Sequence, residues 1–362
     1  MRSTTTLMKN WQFTGPDGNT TTVDLPHTWN NIDGQDGGND YWRGSCTYRI
    51  HFAAPAFDPA AQQVWLQFEG VGDSAKISLN GTEVTSHDGG FSTFRADITA
   101  LLQADNELTV VADNSKNDTV YPQKADFTFY GGIYRTVSLL VVSRDHIALD
   151  YYGGPGVQIT PTVNGSSAEI RVETKVNGGG SVEVAILDAE GREVLAGSGM
   201  DTTLTLDRPH LWDGVRDPYL YTCVVRLMKD GQAVDEVRQR FGVRSFSVDP
   251  KQGFFLNGRP YPLHGVSRHQ DRKGLGNAIT REMHDEDMQL IKELGANTIR
   301  LAHYQHDQYF YDLCDEAGMV VWAEIPYISE HMPNGRENTI SQMKELIVQN
   351  YNHACIVCWG VS

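Results

Sequence analysis

Asn297-Thr298-Ile299-Arg300-Leu301-Ala302-His303-Tyr304 is the stretch on which the fold turns. It begins as a short strand and ends in polar groups. Before it, Thr280 is placed to cap a helix with an apolar face of Met283, Met288, Ile291 and Leu294, which Gly295 stops. After it, a helix through Phe310, Leu313, Cys314 and Ala317 ends at Gly318, and Met319-Val320-Val321-Trp322-Ala323 forms the next strand. Ile340, Met343, Ile347 and Tyr351 mark a third helix, and Cys355 to Trp359 a further strand. Pro262-Leu263-His264-Gly265-Val266 supplies the first strand of the set. Strand–helix alternation at this spacing predicts parallel βαβ units. Four strands correspond to the N-terminal half of a (β/α)8 TIM barrel, which needs about 250 residues when whole.

Upstream of Asp249-Pro250 the chain is strand and turn. Val64-Trp65-Leu66-Gln67-Phe68, Ala75 to Leu79, Glu107 to Val111 and Ile133 to Val142 are β-rich. Asn80-Gly81 is a type I′ hairpin signal. Many short strands with glycine-rich turns predict a jelly-roll β-sandwich over residues 1–145. Ala168 to Glu173 and Ser181 to Ile186 alternate strictly, and Tyr219 to Leu227 and Val234 to Phe246 add strands. Residues 146–248 therefore read as an immunoglobulin-like β-sandwich. Its single cysteine, Cys223, excludes the inter-sheet disulfide of antibody domains. The predicted fold class is multidomain: jelly roll, immunoglobulin-like sandwich, then the partial barrel at 249–362.

Composition narrows function. Forty-six acidic and 30 basic residues leave a net charge of −16, which repels a phosphate backbone and argues against nucleic acid as a partner. No apolar run reaches the roughly 20 residues of a membrane span, so no membrane partner is expected. The N-terminus lacks the apolar stretch of a signal peptide, and the five cysteines show no zinc-site spacing; both point to a cytoplasmic address. Cys355 and Cys358 read as core packing. The four N-x-S/T matches then have no glycosylation to report.

Reacting groups of a barrel lie at the C-terminal ends of its strands. Those ends here hold Arg268 and His269, then Arg300, His303 and Tyr304, then Glu324. Each alone reads more readily as a structural residue. Polar groups at three successive strand ends point to a site for a polar ligand, because burying them unpartnered is costly.

These residues resemble glycoside hydrolase family 2. The likeness rests on Asn297 to Tyr304, Tyr309 to Asp315 and Trp322-Ala323-Glu324-Ile325-Pro326. It extends to Leu25 to Trp29, Tyr41-Trp42-Arg43-Gly44, Phe68 to Val71 and Tyr130 to Arg135 in the first region, and to Leu211-Trp212, Pro218 to Tyr221 and Phe241 to Arg244 in the second. The resemblance implies a retaining hydrolase of β-linked glycosides or oligosaccharides, with β-galactosidase as the leading activity. Asp126, four residues before Tyr130, then matches a residue that touches galactose in some members, and Arg268-His269-Gln270-Asp271 looks galactosidase-like. A β-glucuronidase, another family member, and a non-catalytic carbohydrate-binding fragment are the alternatives. The family's general acid/base and nucleophilic Glu are expected past Ser362, so this chain alone is expected to be inactive. Asp126, Arg268, His269, Arg300, His303 and Glu324 are the substrate-binding candidates, the last five expected to converge in one pocket. A lone Glu324 cannot serve as both acid and nucleophile. For the fragment alternative, Trp11, Trp29, Tyr41 and Trp42 are candidate sugar platforms, with core packing as their plainer role. The residues require no cofactor, the resemblance admits Mg2+, and a homo-oligomer is left open.

Overall fold

The structure is a computed structural model that describes residues 1–33 and 42–361. The first sandwich faces a four-stranded sheet (Ser3–Thr6, Val137–Ser143, Gln62–Phe68, Phe94–Asp97, in spatial order) against a six-stranded one. The larger sheet runs Thr20–Val23, Trp11–Thr14, Ser45–Ala53, Asp105–Asp113, Ser74–Leu79, Thr82–Asp88, antiparallel throughout. Ser45–Ala53 and Asp105–Asp113 bury every second residue, so Tyr48, Ile50, Leu108, Val110 and their partners fill the space between sheets. Asn80 and Gly81 both take positive φ, 51° and 80°, as the type I′ turn requires.

The second sandwich packs Val157–Asn164, Ser167–Thr174 and Asp201–Asp207 over Glu193–Ser198, Ser181–Leu187, Tyr221–Lys229 and Gln232–Phe241. Four of the seven, Ser167–Thr174, Ser181–Leu187, Tyr221–Lys229 and Gln232–Phe241, fall on the segments read from the sequence. Cys223 lies unpaired in its core, and burial pushes its thiol up to about 12.

The barrel strands are β1 (Gly265–Arg268), β2 (Thr298–Leu301), β3 (Val320–Glu324) and β4 (Ile356–Gly360). They lie side by side in that order and all pair parallel. Between them run α1 (Arg281–Glu293), α2 (Gln308–Ala317) and α3 (Arg336–Asn350). Gly295 and Gly318, at φ 75° and 72°, end α1 and α2. Thr280 stands at the N-cap of α1, although its hydroxyl accepts no bond from a helix N–H.

Two helix faces differ from the apolar pattern. In α1, His284 is buried beside Met288 and Ile291, while Leu294 is 73% exposed. In α3 the most buried side chains are Gln342, Glu345, Leu346, Gln349 and Asn350, and Ile340, Met343 and Ile347 are only partly covered. The cause is the first sandwich, which lies against α3 and offers polar partners. Glu345 accepts from Ser92 Oγ at 2.5 Å and meets His87 Nε2 at 2.9 Å. Gln349 accepts from Thr93 N–H at 3.0 Å and donates to Thr93 O at 2.9 Å. An apolar stripe is not what this surface needs.

Asp73, next to the strand Ser74–Leu79, is 2% exposed, and its Oδ2 has no partner among the described residues. Burial pushes its carboxyl up to about 7, opposed by the nearby Arg43. A folded-state value above the ordinary carboxylate range means that folding retains a proton. The associated stability is present below about pH 4 and is lost as pH rises through about 7. We predict that Asp73→Asn raises stability at pH 8 by on the order of 3 kcal/mol, with little effect at pH 4. Urea unfolding at the two pH values checks this; an equal effect at both would contradict it.

Candidate active site

In a parallel strand, alternate residues face the helices and the barrel interior. Ile299 and Leu301 of β2 are buried toward the helices, which turns Arg300 inward. In β3, Val321 and Ala323 are buried, leaving Trp322 on the inner face at 46% exposure beside Arg300 in the register. Arg300 reaches Glu324 at the end of β3 with two bonds, Nε–Oε1 at 2.5 Å and Nη2–Oε2 at 3.0 Å. Glu324 is fully buried, so this fork replaces the water it has lost. His303 Nδ1 lies 3.1 Å from both Glu324 Oε2 and Arg300 Nη2. Gly360 of β4 makes the room: a Cβ there would sit 2.7 Å from Glu324 Cγ and 2.3 Å from Trp322 Nε1.

His269, just past β1, stands beside His303 with ring centroids 5.4 Å apart, and its Nδ1 meets Tyr304 OH at 3.3 Å. Burial lowers its pKa, helped by His303 and Arg300 and opposed by Asp271 and Asp126. The Nε2 atoms of His269 and His303 have no hydrogen-bond partner among the described residues. Two imidazole nitrogens are thereby left to meet a ligand at the mouth of the sheet.

The first sandwich completes this mouth. Tyr121 anchors its 121–130 segment: Tyr121 N–H donates to Asn338 at 2.9 Å, and Tyr121 OH accepts from Met332 N–H at 2.6 Å. Phe127 then lies against His269, His303 and Tyr304 at 5.2, 6.0 and 5.4 Å between centroids. Tyr130 OH donates to Asp271 at 3.0 Å. Asp126 is exposed at the rim, near enough to His269 to act on its charge.

Four of the five residues expected in one pocket, His269, Arg300, His303 and Glu324, come together. Arg268 does not. As β1 alternates, its side chain turns outward to the helices, where Asp287 takes it at 2.6 and 3.0 Å. His284 and His306 each present Nδ1 to it at 3.0 and 3.1 Å, and Phe310 lies 3.8 Å beneath its guanidinium. Burial holds His284 down at about 4 and His306 well below its ordinary value, so both accept as neutral rings. Arg268 is a strut between β1, α1 and α2.

The aromatic platforms fare differently. Trp11 is fully buried in the core of the first sandwich, Trp29 packs against Gly131 and stacks on Phe13, and Trp42 is 41% exposed. Tyr41 lies outside the described residues. Phe127 and Trp322 were not singled out by sequence. Phe127 adjoins Asp126 in the motif before Tyr130, and that adjacency was the available signal.

For Mg2+, the grouping among the described residues whose ligand atoms approach within 4.8 Å is Asp315, His353 and Cys355. A thiol and an imidazole are poor donors for this hard cation. Both Asp315 oxygens are also occupied, by His353 at 2.7 Å and Cys355 N–H at 2.8 Å. The residues there do not fit Mg2+.

Two antiparallel sandwiches leading into parallel βα units, with imidazoles, a guanidinium and a carboxylate at the strand ends, define a class of multidomain proteins built on a barrel. The chain belongs to glycoside hydrolase family 2. Residues 248–362 match "Glycosyl hydrolases family 2, TIM barrel domain", residues 155–244 "Glycosyl hydrolases family 2", and residues 35–132 "Glycosyl hydrolase 2 galactose-binding domain-like". A β-glucuronidase of Bacteroides fragilis is 38% identical over 98% of this chain and 55% of its own length. A β-galactosidase of Thermoanaerobacter pseudethanolicus is 29% identical over 97% of this chain and 49% of its own. The crystal structure of an FMN-binding β-glucuronidase from Facaelibacterium prausnitzii L2-6 superposes with a TM-score of 0.97 at 44% identity, over all of this chain and 58% of that one. The chain thus spans about half the length of the curated relatives it matches.

The buried Glu324 depends on its one guanidinium. We predict that Arg300→Leu costs about 3 kcal/mol, since it strands a carboxylate, and that Arg300→Leu with Glu324→Gln recovers most of the loss. Urea unfolding of the two variants decides; simple addition of two losses would contradict the pairing.

Proposed function

We propose that the full-length protein is a retaining β-glycosidase with glucuronides as its preferred substrates. The observation that supports this reading is the pair of β-glucuronidases at 38% and 44% identity, each matched over nearly this entire chain, against 40% for a putative β-galactosidase of Bacteroides fragilis and 29% for the β-galactosidase named above. The leaning toward galactosides rested in part on Arg268-His269-Gln270-Asp271, and Arg268 faces away from the mouth, so that motif favours no sugar through its arginine.

A retaining mechanism needs two carboxyl groups about 5–5.5 Å apart, one attacking the anomeric carbon and one protonating the leaving oxygen. Glu324 is an unsuitable choice for either, because Arg300 and His303 engage its oxygens. We assign both reacting carboxyls to residues outside this chain. The part given to the present residues is to hold the sugar: His269 and His303 offer Nε2 to its hydroxyls, Trp322 offers a flat apolar face, and Arg300 braces the floor with Glu324. Asp126 at the rim would repel an anionic group placed against it and accept from a hydroxyl instead, so the glucuronate carboxylate is directed elsewhere. The five unpaired cysteines suit a reducing, cytoplasmic setting.

The full-length protein should hydrolyse 4-nitrophenyl β-D-glucuronide with kcat/KM at least about a hundredfold above that for the β-D-galactoside, about 2.7 kcal/mol of discrimination. The opposite order would return β-galactosidase to first place, and turnover of neither would remove the glycosidase reading.

A further inference from the structure

Phe127 belongs to the first sandwich by sequence and to the barrel mouth by contact. Its ring lies nearly parallel to that of His303, at 19°, and tilts 42° against His269. It meets Tyr304 edge-on, and Tyr304 is stacked from its other side by Phe91 of the same sandwich, at 4.5 Å and 12°. Tyr304 OH meets His269 Nδ1 at 3.3 Å and accepts from Gln270 N–H at 3.1 Å. Phe127, Phe91 and Tyr304 also wall a void of about 10 Å3, room for one water at most. With no polar atom of its own, Phe127 cannot bond the imidazoles; it can only fix their planes and keep water from their edges.

We propose that Phe127 is a positioning residue that the first sandwich contributes to the barrel, fixing the ring planes of His269 and His303 so that His303 Nδ1 stays on the Arg300–Glu324 pair and both Nε2 atoms face the ligand. The proposal rests on the glycosidase reading for its catalytic consequence alone. The groups that face the two imidazoles are Asp126, Asp271, Arg300, Glu324 and Tyr304, together with each other. Removing the ring admits water to His269, and its pKa should rise toward the ordinary imidazole value.

The test uses Phe127→Ala, Phe127→Leu, which keeps bulk without a flat face, and Phe127→Tyr, which keeps the ring. In the full-length protein, alanine and leucine should lower kcat by about tenfold or more with KM changed less than about threefold. The acid limb of the pH profile should move to higher pH, and tyrosine should restore both. NMR of the imidazole signals in the present chain supplies a readout independent of turnover: alanine should shift the His269 and His303 resonances together and raise the His269 midpoint. Unmoved imidazole signals, or a loss shared equally by the tyrosine variant, would overturn the proposal. A wild-type protein without glycosidase activity, whose imidazoles still respond to Phe127→Ala, would sink the glycosidase reading and leave the positioning role standing.

Discussion

Everything at the mouth of the sheet depends on a buried polar seam between α3 and the first sandwich. Glu345 receives Ser92 and His87, Gln349 receives Thr93, and Arg135 reaches across to donate to Gln305 O at 2.9 Å. These groups gain little over their hydration in water, but each would be costly to leave buried and unmet. The seam therefore acts chiefly on geometry. It admits one relative placement of sandwich and barrel, and with it one position for Tyr121, Phe127 and Tyr130 over the strand ends. The second sandwich is tied in the same manner. Trp212 Nε1 donates to Asp315 O at 2.9 Å, and Arg244 donates to Ala354 O and Ile356 O at 2.5 and 2.7 Å, holding the entry to β4.

Two networks of similar composition then divide the work at β1 and β2. Arg268, Asp287, His284 and His306 lie on the helix side, where both imidazoles turn Nδ1 to the guanidinium and His306 Nε2 meets Ala302 O at 3.0 Å. Arg300, Glu324, His303 and His269 lie on the inner side, and there two imidazole nitrogens are left over. The difference between a strut and a site is the side of the sheet on which the imidazoles lie. One residue's shift in the alternation of β1 decides to which network an arginine belongs.

The fold was largely legible because it is written in local patterns. The Asn80-Gly81 turn, the strict alternation of Ala168 to Glu173, and the glycines after α1 and α2 each specify backbone geometry within a few residues. The same locality limits what could be known of the site. A strand end shows which residues are polar but not which way each points, so Arg268 was grouped with Arg300. The polar face of α3 has no meaning until a second domain lies against it, and Ile340 and Met343 gave the wrong face for that reason. Phe127 reads as an ordinary core aromatic, and only its approach across a domain boundary gives it two imidazoles to hold. The choice between galactoside and glucuronide was least accessible of all, since β-glucuronidases and β-galactosidases both match nearly the whole of this chain.

The central claim is that the first sandwich and the barrel form one site because the seam at α3 holds them together. Hydrogen exchange of Glu345→Ala against the unaltered chain tests this most directly. The account predicts that residues 119–131 and 327–338 lose protection together, while the strands Ser181–Leu187 and Tyr221–Lys229 of the second sandwich keep theirs. Unchanged protection across 119–131 in that variant would show that the segment bearing Phe127 is held without the seam, and would contradict the account.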